Sequence, residues 1–109
     1  MQRDESFGVD RSGALVRSVT PARGAPYEHR CLLWAFENIC HAAEEFGDKG
    51  FTLEDLIEWA SVPHTQAAVA LAFLKERGCV ITEGRRSFAT PGLHADAMTE
   101  YHALREKPE

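Results

Sequence analysis

Apolar residues recur at helical spacing over four stretches of the chain, and the breaks between them carry turn chemistry. Leu32, Phe36, Ile39, Ala43 and Phe46 follow one another at intervals of four, three, four and three, with Leu33 and Cys40 widening the stripe. That is the period of an amphipathic helix with one buried face. Pro26 suits its first turn, where a missing N–H goes unnoticed, and Gly47 with the Asp48-Lys49-Gly50 turn ends it. Gly50-Phe51-Thr52 reads as a short extended link. Thr52 and Asp55 have the spacing of a capping box, and Leu53, Leu56, Ile57 and Ala60 give a second helix its buried face before Ser61-Val62-Pro63 stops it. A third helix is predicted from about His64 to Arg77, closed by Gly78 in the left-handed conformation. Cys79-Val80-Ile81 and Phe88-Ala89 flank Glu83-Gly84-Arg85-Arg86 as the two short strands of a hairpin. Thr90 then caps, and Pro91 opens, a last helix with Leu93, Ala97, Tyr101 and Leu104 along one side.

Residues 1–26 show neither the helical nor the alternating period. Gly8, Gly13, Pro21, Gly24 and Pro26 interrupt them, so they read as a flexible tail ahead of a folded domain over 27–109. At 109 residues the chain has room for one domain. The longest apolar run, Ala67 to Leu74, is far short of the roughly 20 residues a membrane span needs. No basic segment followed by an apolar one opens the chain, so a cleaved secretion signal is not expected. Three cysteines without a C-x-x-C pair make no disulfide framework, and reduced thiols in the cytoplasm are the expectation. Cys40 and Cys79 read as small core residues and Cys31 as partly exposed. The net charge of −5 excludes a strongly basic nucleic-acid binder. With four basic and three acidic side chains in the first 26 residues, the rest carries 8 basic and 14 acidic ones.

The order helix, short strand, helix, tight turn, helix, hairpin, helix resembles a winged helix-turn-helix domain. Thr52 to Pro63 looks like the second helix and turn of these domains, and Leu71 to Val80 like the end of their recognition helix. Gly84 to Gly92 is similar to the wing and exit of bacterial regulators of the MarR and PadR kind. The resemblance covers roughly residues 28 to 105. It implies a mainly α fold with a small β-hairpin: a three-helix core, a wing and a C-terminal helix. It also implies binding of double-stranded DNA in transcription regulation, with the third helix in the major groove, the wing on the backbone and a dimer through the last helix.

The chemistry of the third helix leaves two readings open. Matching the chain to a DNA reader turns Ala67, Ala70, Leu71 and Leu74 inward and His64, Thr65, Gln66, Ala68, Val69, Ala72 and Phe73 toward the groove. Base edges are read by donors and acceptors, and only His64, Thr65 and Gln66 supply them. Lys75, Arg77, Arg85 and Arg86 form a basic cluster for phosphates, opposed by Glu76 and Glu83. The alternative is a protein-interaction module in which Ala68, Val69, Ala72 and Phe73 form an apolar strip for a partner. Val69 and Phe73 lying in the core is the plain reading of the same residues.

Other chemistry is thin in the sequence. Five histidines and three cysteines show no zinc-ligand spacing, so neither metal nor cofactor is expected. Glu44-Glu45 and Glu54-Asp55 are adjacent on helices and face different ways, and no nucleophile elbow or phosphate loop is present, so the chain does not read as an enzyme. Trp59 sits one residue off the inward set, which leaves two readings, a half-exposed residue lining a contact surface and the commoner one of packing in the core. The stripes of the first and last helices exceed what two short neighbours can cover, which predicts a homodimer through those helices. The competing reading folds the last helix onto the first within one chain.

Overall fold

Alternation along residues 4–31 builds a sheet at the start of the chain. The computed structural model describes residues 4–106, and in it β1 (Asp4–Val9), β2 (Leu15–Thr20) and β3 (Tyr27–Cys31) form an antiparallel meander in that order. Val9 pairs with Leu15 and Leu15 with Cys31, so Phe7, Val9, Leu15, Val19 and Cys31 share the face turned to the core. Ser6, Ser18, Glu28 and Arg30 lie on the other face. The β1–β2 turn is held by the Asp10 carboxylate, whose Oδ1 accepts from the backbone N–H of Ser12 at 2.9 Å and of Ala14 at 3.0 Å. These strands replace the tail expected over 1–26, of which residues 1–3 lie outside the described residues. Pro26 precedes β3 instead of opening a helix. Among the described residues the fold is therefore mixed α and β, four α-helices with two small antiparallel sheets, one sheet more than the single hairpin that the sequence predicts.

Helix α1 (Leu33–Phe46) buries Ala35, Phe36, Ile39, Cys40, Ala42 and Ala43 and ends at Gly47, followed by one 3₁₀ turn. Leu32 precedes the helix and is exposed, so the stripe begins one turn later than its spacing suggests. Phe51 then bridges to Ser87 through two backbone hydrogen bonds of 2.8 and 2.9 Å. Helix α2 (Leu53–Ala60) starts with the full Thr52–Asp55 capping box, and left-handed Ser61 ends it. Helix α3 (His64–Glu76) follows, and Gly78 has the expected positive φ of 75°.

β4 (Val80–Glu83) and β5 (Arg86–Ala89) pair around Gly84-Arg85. Gly50 lies so close beneath this hairpin that an added Cβ would sit 2.7 Å from the Phe88 ring, at φ +80°. Thr90 does not cap α4 (Leu93–Arg105); its backbone N–H and hydroxyl both donate to the Cys79 carbonyl, closing the hairpin, and left-handed Gly92 precedes the helix. Leu93, Ala97, Tyr101 and Leu104 are buried within the chain against α1 and β1. The Tyr101 ring stacks on Phe36, and its hydroxyl donates to the Gly13 carbonyl at 2.6 Å.

Candidate functional site

Helix α3 is covered on two sides. Ala67, Ala70, Leu71 and Leu74 pack toward α1 and α2 as the sequence predicts. Val69 and Phe73, placed on the outward strip by the match to a DNA reader, are fully buried, and α3 packs on β2 and β3 as well as on the helices. Phe73 meets the Phe7 ring at 5.3 Å and the Phe36 ring at 5.6 Å, both edge-on, an arrangement that adds to area burial. The chain's own sheet thus occupies half of the strip offered to a partner. Ala68 and Ala72 remain half-buried.

The open side of α3 forms the floor of a groove of about 920 Å³. Ala68, Leu71 and Ala72 line the floor, with Lys75 and Glu76 at one end. Glu5 and Arg17 of the sheet, Thr52, Leu53 and Glu54 at the start of α2, and Thr82, Gly84, Arg85 and Ser87 of the hairpin complete the lining. Arg17 donates through Nε to Glu5 Oε2, a pair that needs strands β1 and β2 side by side. Among the described residues three basic and three acidic side chains line the groove, which sum to a formal charge of zero.

The expected DNA-contact residues are divided among different tasks. His64 and Thr65 are exposed at the start of α3. Gln66 is taken up by the fold: its Oε1 accepts from the Leu32 backbone N–H at 2.9 Å and so fixes the β3–α1 junction. Arg77 bonds Glu76 and Glu100, each at 3.1 Å, and lies over the Phe73 ring. Arg86 donates to the Gly50 carbonyl at 2.9 Å. Lys75 and Arg85 are exposed, with no ion pair among the described residues. Sequence reasoning missed Glu5 and Arg17 because it assigned their strands to a tail. It missed Glu54 and Thr82 because only the packing of α2 against the hairpin brings them to one wall.

Among the described residues no group of three or more His, Cys, Asp or Glu is placed to hold a metal ion. His41 and His94 stack at 4.5 Å across α1 and α4, with the His94 backbone N–H donating to Glu44. All three thiols are buried, Cys31 among them, against the expectation that it is partly exposed. Burial pushes Cys31 up to about 12 and raises Cys40 and Cys79 as well. No helix among the described residues is long and apolar enough to cross a membrane. No family model, no curated protein and no solved structure matches this chain.

Proposed function

We propose that the chain is a winged-helix module that binds an extended segment of another protein in the groove between α3 and the β4–β5 hairpin. The order α1, Phe51 bridge, α2, α3, β4–β5 supports the winged-helix reading, with the meander as an addition packed on the third helix. The observation that carries the choice of ligand is the groove's balance of charge. Duplex affinity grows with the number of phosphates neutralised, through release of counterions. A lining of three bases and three carboxylates, in a chain of net charge −5, gains little from that release. The same lining suits a peptide carrying both signs. The small side chains of Ala68 and Ala72 let a peptide backbone approach α3 closely.

Short random peptides displayed on phage and selected on the wild-type protein test this reading, with Ala72→Arg as the comparison. Ala72 is half-exposed on the groove floor, so the arginine fills the groove without entering the core. Selected peptides are expected to share a motif and to bind the variant at least about tenfold more weakly. The DNA reading is the other arm. A random duplex pool is expected to stay unbound at physiological salt. Duplex binding whose salt dependence flattens by about one unit for each of Lys75→Ala and Arg85→Ala would overturn the proposal.

A further inference from the structure

A second concavity, of about 430 Å³, lies beside α2 and is lined by Phe46, Asp55, Glu58 and Trp59. Asp55, Glu58 and Trp59 are spaced i, i+3 and i+4 and therefore share one face of α2. Phe46, the last residue of α1, forms the opposite wall, its ring held from behind by Phe51 at 6.0 Å. Trp59 is 49% exposed although its indole is among the largest apolar groups a fold has to bury. Among the described residues Glu58 has no hydrogen-bond or ion-pair partner. Asp55 is oriented by the Thr52 backbone N–H, which donates to its Oδ2 at 2.9 Å and leaves Oδ1 open.

Two of the four lining side chains are carboxylates, and the helices that supply the lining are acidic in sequence. Between Leu33 and Leu74 the sequence has seven carboxylates and one base, Lys49. We propose that this notch receives an arginine side chain of a partner protein, stacked on the Trp59 indole and paired with Glu58. A planar guanidinium places its face on an aromatic ring while its in-plane N–H groups reach a carboxylate, which a lysine ammonium does not do. Indole is the best of the aromatic faces for a cation. The acidic stretch draws a positive group in and repels anionic segments. Asp55 Oδ1 is a second acceptor on the same rim. The site is independent of the α3 groove, which takes up Thr52, Leu53 and Glu54 at the start of α2 and none of the four notch residues.

The test uses the full chain carrying Trp34→Phe, which leaves Trp59 as the sole indole. It is titrated at low ionic strength with the blocked tripeptide Gly-Arg-Gly and with its uncharged citrulline counterpart. Trp59 emission and the amide resonances of residues 46 and 55–59 are followed. A saturable change confined to those residues is expected, roughly threefold or more weaker with citrulline and weaker again in Glu58→Gln. Trp59→Leu, whose fold is checked by circular dichroism, is expected to lose the amide shifts. Equal responses to arginine and citrulline overturn the proposal. So does an undiminished response in Glu58→Gln, or a non-saturating drift spread over the acidic surface.

Discussion

Each of the three cysteines is an apolar core residue whose chemistry is suppressed by its surroundings. The thiolate is the reactive form, and burial disfavours it, raising Cys31, Cys40 and Cys79 above the ordinary value of 9.0. A group whose folded pKa is raised stabilises the fold at pH below its unfolded value and loses that contribution as pH climbs toward the folded one. Stability to urea is therefore expected to be insensitive to these groups up to about pH 9 and to fall between pH 9 and 12. At pH 8 an aromatic disulfide reagent is expected to label no cysteine until denaturant is added. Rapid labelling of one thiol in the folded protein would contradict the burial of Cys31.

At the scale of elements, the decisive arrangement is the meander laid on α3. It supplies Phe7 to Phe73, Leu15 and Val19 to the core, and Gly13 as acceptor for Tyr101 of α4. Burying one large apolar side chain contributes roughly 1.5–3 kcal/mol, so removing the sheet withdraws several such contributions at once. It also leaves Val69 and Phe73 open to water. Deletion of residues 1–26, which removes β1 and β2 and leaves β3 without a strand partner, is expected to give a chain without a cooperative thermal transition, measured by circular dichroism. A dispensable tail would instead leave the melting temperature unchanged. The milder substitution Tyr101→Phe keeps the ring stack on Phe36 and removes only the hydroxyl that satisfies the Gly13 carbonyl. Its expected cost is about 1–3 kcal/mol, the desolvation penalty of an unpaired buried acceptor.

Over the whole molecule, the apolar stripes that argue for a homodimer are consumed within one chain. Leu93, Ala97, Tyr101 and Leu104 meet α1 and β1, and the α1 face meets α2, α3 and α4. The Cα radius of gyration of 13.5 Å is close to the roughly 13 Å of a compact chain of about 100 residues. Among the described residues the large apolar side chains that remain exposed are Tyr27, Leu32, Trp34, Trp59 and Ile81. Those residues lie on β3, the β3–α1 junction, α1, α2 and β4, and none is on α4. A monomer of 12.1 kDa is expected from light scattering at tens of micromolar, and a 1:1 stoichiometry with any peptide bound in the groove. A dimer that substitution of Trp34 dissociates would contradict this expectation and place an interface on α1.

The helices were legible because each carries its own period and its own punctuation. Thr52–Asp55, Gly47 and Gly78 act within a few residues of the elements they bound, so local sequence is enough to place them. The hairpin was legible for the same reason. The meander was not, although Phe7 with Val9 and Leu15 with Val19 alternate about a turn held by Asp10. Two short alternations broken by Gly8 and Gly13 are too weak a signal until α3 offers an apolar face to cover. Gln66 and Phe73 face outward only when the chain is matched to a DNA reader, and for Phe73 a place in the core is the competing reading. Phase determines which residues lie together on a helix, whereas the neighbours that cover a face are chosen by contacts remote in sequence. The groove follows from the same cause: Ala68 and Ala72 stay open because the sheet covers the adjacent side of α3, and its walls come from strands, helix and hairpin far apart in the chain.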